Sequence, residues 1–449
     1  MDGKIEDKLT TFDNINIIAK VKSSQIFSIY EVLCNRVECT NLEFFEHNHT
    51  VFITGVAGFI GSVRQGLRNL LLIMQSLSRK SSNASIGNMN KKLVFSVSIL
   101  IPVAGLKTIK ETIESVMHQK FRRWEILILR NSIQDLPQDT NIIEKDVFYQ
   151  DHLIREIYIR KKGKGNALNV GICYARNALV CVIDADCILQ EDALSKAVKH
   201  FQNDEVVAVG GRLLVKREDS CQLEAIQSCE YMKTFQISRS IFARLNAQCL
   251  ISGAFGVFRK STLLGINGYD IDTVGEDMEL VLRLQEKDYQ QSKKQIVYDP
   301  TAVCYTGVPH SIKRLLHQRD RWQRGLMDCL IKHYNMIANP HYGLLGLVTM
   351  CYQFVIELLG PIFWVIYTVL LIDKNMFPFC SLVFAGYALA QIGLTIFAAY
   401  IDTEKNMRSL LRWIPKLILI TIEEIVLQIP IMVARVVGML TFHWRRIVW

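Results

Sequence analysis

The sequence predicts an α/β fold: a nucleotide-binding layer with a mostly parallel sheet, followed by helices that enter a lipid bilayer. Two observations carry the first part. Apolar strands alternate with helical periods from Val94 onward, the βαβ pattern of a parallel sheet. One of these strands, Val180-Cys181-Val182-Ile183, is apolar on both faces, as a central parallel strand is, and it stops on Asp184-Ala185-Asp186. A third observation carries the membrane part: 50% of the 449 residues are hydrophobic and the mean hydropathy is +0.18, high for a chain wholly in water. The formal charge of +9 suits an anionic membrane surface or a phosphorylated substrate and says nothing of the fold. No basic stripe is interleaved with aromatics, so nucleic acid is not an expected partner. The 12 cysteines make no CxxC pair and no metal-ligand spacing, which points to reduced, buried thiols facing a cytosol-like compartment and to no zinc site.

Residues 1–91 read as an extension apart from the main fold. The first 50 residues have no sustained period, and the charges at Asp2, Lys4, Glu6, Asp7 and Lys8 precede no apolar core, so no cleavable signal is expected. A strand from Val51 then ends in Gly55, Gly58 and Gly61, spaced for a pyrophosphate-binding turn. This stretch resembles the opening fingerprint of NAD-dependent sugar-nucleotide epimerases. The match stops before a first βαβ unit is complete, and no Tyr-x-x-x-Lys pair completes such an enzyme. A helix is expected over 67–74, too short to span a bilayer.

The main domain is expected over 92–340. A buried strand runs from Val94 to Pro102, residues 108–119 carry a helical period through Ile109, Ile113, Val116 and Met117, and Trp124 opens a second strand. Further strands are expected at 180–183 and 206–209. Asp184 and Asp186 therefore stand at the C-terminal end of a strand, where open α/β sheets bind ligands. One residue apart on an extended chain, they point the same way and suit one hard cation, Mg²⁺ or Mn²⁺. They equally suit a plainer role, capping a helix that begins near Glu191.

Four later stretches add to this. In Lys161-Lys162-Gly163-Lys164-Gly165-Asn166 the small residues let a ligand approach the backbone and Lys164 can neutralise phosphate, although a basic turn before a helix reads the same way. Residues 251–259 are apolar and punctuated by glycine, as one wall of a cleft would be. Gly275-Glu276-Asp277 sets two acids at a helix start, where capping and the helix dipole already favour Glu276. Gln318-Arg319-Asp320-Arg321-Trp322 gathers an amide, guanidinium groups and an indole, fit for a diphosphate and a sugar ring, or for an ordinary interfacial helix.

Taken in order, Asp-x-Asp, Gly-Glu-Asp and Gln-x-x-Arg-Trp followed by membrane helices, the chain from Val94 onward resembles the processive family-2 glycosyltransferases, which include cellulose, chitin, hyaluronan and poly-N-acetylglucosamine synthases. It resembles most the bacterial membrane enzymes that carry Ser252-Gly-Ala-Phe-Gly256, Thr273-Val-Gly-Glu-Asp-Met-Glu-Leu280, the Gln318–Gly325 motif and Asn339-Pro-His-Tyr-Gly343. The resemblance implies a GT-A-like domain and an inverting transfer of sugar from a UDP-sugar to a growing polysaccharide or other glycan acceptor. It implies that Asp184 contacts the nucleotide and that Asp186 holds Mg²⁺ or Mn²⁺ on the diphosphate. Lys164 and Arg321 would neutralise charge on the departing UDP, and Asp277 would take the proton from the acceptor hydroxyl. Gln318 and Trp322 would line the acceptor end. An accessory subunit or a second copy is a further candidate partner.

Three departures stand against the family pattern. Pro102-Val103-Ala104-Gly105-Leu106 replaces Pro-x-Tyr-Asn-Glu, and the second strand leads from Leu129 into Arg130-Asn131-Ser132 where the family has an Asp that contacts the base. Thr306-Gly307-Val308-Pro309 replaces Thr-Glu-x-Pro. Two readings therefore stay open: an active transferase that holds its donor differently, and a catalytically degenerate relative acting as a membrane scaffold or partner subunit. A third, a sugar-nucleotide oxidoreductase, rests on Gly55, Gly58 and Gly61 alone.

Residues 341–449 are expected in or on the membrane. The apolar stretch 344–372 exceeds the roughly 20 residues that span a bilayer, so it reads as an interfacial helix and a span, with Gly360-Pro361 marking a kink or the join. A second span is expected at 379–401. The third stretch, 411–442, is interrupted by Lys416, Glu423, Glu424 and Arg435 and fits either one long helix with a buried polar face or a tight hairpin. Lys405, Arg408 and Arg412 set the preceding loop inside. The expectation is a multi-pass protein of the bacterial inner, or plasma, membrane with its catalytic domain in the cytosol.

Overall fold

The computed structural model describes residues 95–104, 109–131, 142–149, 152–216, 221–291, 295–370, 377–402 and 407–442. These belong to one unit, 92–449, separate from a unit at 1–91. The glycine fingerprint of Gly55, Gly58 and Gly61 lies outside the described residues, as do Gly105, Leu106, Ser132 and Lys405.

The chain opens with β1 (Val97–Ala104), α1 (Lys110–Met117) and β2 (Trp124–Asn131), and β1 pairs with β2 in parallel along their full length. A hairpin of β3 (Ile142–Tyr149) and β4 (His152–Ile159) adds β4 in parallel to β2. Next, α2 (Lys164–Tyr174) leads into β5 (Leu179–Ile183), which lies parallel to β1 on its other side. There follow β6 (Ile188–Leu189), α3 (Ala193–Lys199), β7 (Val206–Val215), α4 (Gln222–Lys233), α5 (Ser240–Arg244), β8 (Phe255–Arg259), α6 (Lys260–Gly265), α7 (Glu276–Gln291), β9 (Gln295–Thr306) and α8 (Ile312–Lys332).

The described strands form one nine-stranded sheet in the order β3-β4-β2-β1-β5-β8-β7-β9-β6. Of the expected strands, β1, β2 and β5 lie in a parallel core, β4-β2-β1-β5, to which β4 is an addition. Beyond β5 the sheet becomes mixed, because β8 slots between β5 and β7 and runs antiparallel to both, whereas β7 and β9 are parallel. A strand's periodicity announces its existence and not its direction, so this reversal is set by tertiary packing.

The alternation of side chains along β5 builds two cores at once. Leu179, Cys181 and Ile183 face the layer that holds Ile113, Val116, Leu194 and Phe201, while Val180 and Val182 face Leu168, Ile172, Leu280 and Val281. A strand covered on both faces must carry its polar groups at its ends, and that is where Asp184 and Asp186 stand. Neither caps a helix: the residue before α3 is Asp192.

The chain then passes to three helical segments long and apolar enough to cross a membrane, Leu345–Leu370, Phe377–Asp402 and Leu410–Leu440. The first begins with residues that pack on the α/β layer, where Leu345 and Met350 join Met278, Leu282, Cys329 and Leu330 in one core. It continues as α9 (Gly360–Leu370), which begins at Gly360-Pro361. After α10 (Phe377–Asp402), α11 (Met407–Leu440) is a single helix that carries Pro415 and Pro430 inside it, and not a hairpin.

Candidate active site

The site is built where β5 and α2 meet the start of α7. Gly163 has φ of 111°, a backbone region that favours glycine, and the turn it permits puts Lys164 in the first turn of α2. From there Lys164 Nζ reaches Asp184 Oδ1 at 2.5 Å and Glu276 Oε1 at 3.8 Å. The loop that delivers Glu276 is fixed by Asn169 of α2, whose amide donates to Tyr269 O at 2.8 Å and accepts from Tyr269 N at 2.7 Å. Next to Glu276, Asp277 Oδ2 accepts from Gly253 N at 3.3 Å, and its Oδ1 accepts from Met278 N at 2.9 Å. Thus Lys164, Asp184, Glu276 and Asp277, far apart in the chain, share one cleft.

Gly253 makes this approach feasible. A Cβ there would lie 2.8 Å from Lys164 Nζ, so the second wall of the cleft must be bare backbone. A space of about 140 Å³ opens beside the lysine, lined by Lys161, Lys162, Lys164, Asp270, Thr273 and Glu276.

The electrostatics follow from burial and neighbours. Burial alone would pull the Lys164 ammonium down, but the Asp184 and Glu276 carboxylates outweigh it and hold its pKa above the usual lysine range. Burial pushes the Glu276 acid up, with Asp277 adding to the rise and Lys164 opposing it. The side chain of Asp186 is open to solvent, yet desolvation by nearby protein and the Asp184 charge raise its pKa too. Two carboxylates that repel each other in this way favour a cation between them.

The donor set fits a magnesium-like ion. Among the described residues no third His, Cys, Asp or Glu side chain joins Asp184 and Asp186 in a metal-ligating group. Gly307 faces Asp186, and a Cβ there would stand 3.3 Å from Asp186 Oδ2. Mg²⁺ and Mn²⁺ accept one or two carboxylates and complete their shell with water and phosphate oxygens, which such a half-built site leaves room for.

Gln318, Arg321 and Trp322 ride on α8. Gly325 packs directly on Gly275, where a Cβ on Gly325 would lie 3.0 Å from Gly275 Cα and one on Gly275 would lie 2.9 Å from Gly325 O. Trp322 is three residues from this contact, about one helical turn, and 42% exposed. The Gln318 side-chain oxygen is buried without a hydrogen-bond partner among the described residues. Arg321 is half-buried on the same helix. The neighbouring Arg319, to which the sequence gives no role, is the one that stacks over Trp322 at 4.3 Å and pairs with Glu230 of α4 at 2.6 Å. Tyr231, also on α4, was not legible as a site residue either. It lies within electrostatic reach of both Arg319 and Asp186, and burial pushes its hydroxyl up to about 12. The structure thus brings the lysine and three acids together, while Gln318, Arg321 and Trp322 stand one to two turns along α8 from the point where it meets α7.

Gly325→Ala is expected to lift α8 off the start of α7 and lower turnover by up to about 10²-fold, since catalysis tolerates little misplacement. Donor binding should weaken less than turnover falls, because Lys164 and Asp184 are untouched while Arg321 rides on α8. Steady-state kinetics with separate donor titration checks both.

At the end of β2, Arg130 is occupied. Its guanidinium pairs with Glu156 of β4 at 2.7 Å, and Tyr158 donates to the other Glu156 oxygen at 2.5 Å. Burial would raise the Glu156 acid, but Arg130 and Tyr158 hold it below the usual carboxylate range. The Asn131 side-chain oxygen beside it is buried and without a partner among the described residues.

Residues 179–392 match the family model described as glycosyl transferase family group 2. The chain is similar to the poly-beta-1,6-N-acetyl-D-glucosamine synthase of Staphylococcus epidermidis, 28% identical over 336 residues that cover 69% of this chain and 77% of that protein. The synthase of the same name from Staphylococcus aureus strain COL is 29% identical over 229 residues, 51% of this chain and 53% of that protein. Among solved structures, the mannosyltransferase PcManGT from Pyrobaculum calidifontis, in complex with GDP-Man and Mn²⁺, aligns at a TM-score of 0.48 and 14% identity, covering 83% of this chain and 94% of that one.

Proposed function

Since the chain carries a family group 2 domain and is a glycosyltransferase, we propose that it is a membrane-bound, inverting polysaccharide synthase that takes its sugar from a UDP-sugar. The observation that carries this reading is Lys164, which joins Asp184 at the end of β5 to Glu276 beside Asp277 at the start of α7. A nucleotide diphosphate at the strand end and an acceptor hydroxyl at the helix start would then face each other across one cleft.

In this reading Asp184 orients the nucleotide, and Lys164 turns from its carboxylate partners to the diphosphate, neutralising charge as UDP departs. Asp186, with Asp184 beside it, would hold Mg²⁺ or Mn²⁺, which supplies further charge neutralisation on the leaving group when bound. Asp277 accepts the proton of the acceptor hydroxyl as that oxygen attacks the anomeric carbon from the face opposite UDP. One displacement inverts the anomeric centre. The α7 N-terminus carries Glu276, Asp277 and Glu279, acids placed at the positive end of the helix dipole. Gln318 and Trp322 line the acceptor end, the indole offering an apolar face to a sugar ring and the buried amide oxygen accepting a hydroxyl. Arg321 is assigned to the diphosphate.

The names of the Staphylococcus relatives make UDP-N-acetylglucosamine the first donor to test. Incubation of the membrane-embedded protein with radiolabelled UDP-N-acetylglucosamine and, separately, UDP-glucose is expected to give a β-linked polymer with one of them. A second reading, a degenerate partner subunit, is favoured by one feature: Arg130, locked on Glu156, stands where the resembled family carries a base-contacting Asp. No polymer from any UDP-sugar would favour it.

A further inference from the structure

Along α4 a polar residue recurs every three positions, Glu224, Gln227, Glu230 and Lys233, and each holds a partner from a later part of the chain. Glu224 meets His310 at 2.7 Å and Gln227 donates to Pro309 O at 2.9 Å, so the start of α4 holds the loop that leads into α8. Glu230 pairs with Arg319 of α8 at 2.6 Å. Lys233 donates to Glu424 of α11 at 2.7 Å and to Gln391 of α10 at 3.3 Å. Steps of three residues fall about 60° short of a full turn, so the row winds round α4 and its partners change from the loop to α8 and then to the last helices. Of these four contacts, that of Glu230 ends on a residue that also touches a side chain of the candidate site.

Arg319 and Trp322 are three apart on α8 and so neighbours on its surface. A long side chain on a helix leans back over the turn before it, and the Trp322 ring accordingly meets the Arg319 guanidinium, whose Cζ stands 4.3 Å from the ring centroid. The two divide inside from outside, Arg319 being 6% exposed and Trp322 42%. One face of the indole is therefore backed by a buried cation while the ring stays open to solvent elsewhere. A buried guanidinium needs a counter-charge, and Glu230 supplies it through an N–H bond in the guanidinium plane. A planar cation can stack by its face and pair by its edge at once, whereas a lysine ammonium offers no plane to stack. Because α4 is itself tied to the loop before α8 and to α10 and α11, the plane beneath Trp322 has little freedom. Tyr231, the next residue of α4, lies within electrostatic reach of Asp186, so the pair borders the cleft.

We propose, resting on the reading of Trp322 as an acceptor contact, that Arg319 is a positioning residue: paired to Glu230, its guanidinium fixes the plane of the Trp322 indole so that the open side of the ring meets the sugar at the end of the acceptor. A sugar stacks through its apolar C–H face, so the orientation of the ring sets affinity for the acceptor and leaves that for the donor alone.

The test uses the full chain in nanodiscs. Tetrasaccharides of β-linked N-acetylglucosamine and of β-linked glucose are titrated by calorimetry, and the donor KM for UDP-N-acetylglucosamine and UDP-glucose is read from UDP release. Arg319→Lys keeps the charge for Glu230 and loses the plane. It is expected to bind the tetrasaccharide that the parent binds about 5- to 10-fold more weakly, a loss in the range of one cation–π contact, with donor KM within about twofold and thermal unfolding unchanged. In a Trp322→Leu background the same change should alter binding by less than about twofold, because a residue that acts through the indole has no effect once the indole is gone. Parental affinity in Arg319→Lys, or an equal loss with and without the indole, would overturn the proposal. So would a parallel loss of acceptor affinity, donor affinity and thermal stability, the mark of a plain tie between α4 and α8. A parent that binds neither tetrasaccharide, or a Trp322→Leu variant that binds as the parent does, would overturn the acceptor reading and this proposal with it. Weakened binding in Trp322→Leu beside parental binding in Arg319→Lys defeats the positioning role alone.

Discussion

Asp277→Asn is expected to lower UDP release by roughly 10²–10⁴-fold, the usual contribution of a positioned general base. The substitution is nearly isosteric and keeps one oxygen, which can still accept from Met278 N at the 2.9 Å contact, and gives up only the longer 3.3 Å bond from Gly253 N to the other oxygen. What it removes is the ability to take a proton from the acceptor hydroxyl. The fold should therefore survive, and thermal unfolding in detergent is expected to match the parent. A variant that melts normally and turns over at the parental rate would put the base elsewhere.

Lys164→Met carries the second large effect, through both stability and rate. The ammonium holds Asp184 and Glu276 together, and its raised pKa means that it stays charged across the working pH range. Without it, Asp184, Glu276 and Asp277 crowd one cleft with no cation. Breaking a buried pair by removing one partner costs roughly 3–5 kcal/mol. Lys164 and Asp184 keep 24% and 32% of their side-chain surface, so water screens part of the loss and about 3 kcal/mol is expected. The rate should fall by about 10²–10³-fold, as for loss of one fixed charge at a developing anion. Lys164→Arg tests the geometry separately: it keeps the charge but must fit a larger head against Gly253, so it should recover stability more than rate. Thermal unfolding and UDP release, measured side by side, check both variants.

Much of the site was legible in the sequence because its parts are local. The apolar run into Asp184 and Asp186 requires a buried strand with acids at its end, and Gly275-Glu276-Asp277 sits at a helix start for reasons of dipole and capping. Glycine at 163 likewise marked a turn into a helix. What was hidden depends on partners distant in the chain. Arg130 takes Glu156 on the neighbouring strand, and Arg319 takes Glu230, 89 residues earlier, so the guanidinium beneath Trp322 is not Arg321, to which the sequence had assigned the diphosphate. The direction of β8 was hidden too, since periodicity is the same either way. For α11, composition reported an apolar length, but the partners of Glu424 and Arg435, namely Lys233, Glu357 and Gln323, are brought against it only by the packed structure.

The most direct test of the account is UDP release from UDP-N-acetylglucosamine and UDP-glucose by the protein in nanodiscs, before and after removal of divalent metal with EDTA, beside Asp277→Asn. The account predicts release from one donor that stops with EDTA, returns on addition of Mn²⁺ or Mg²⁺, and is nearly absent in the variant. Folded protein that releases no UDP from any donor, or that releases it equally well without Asp277, would contradict it.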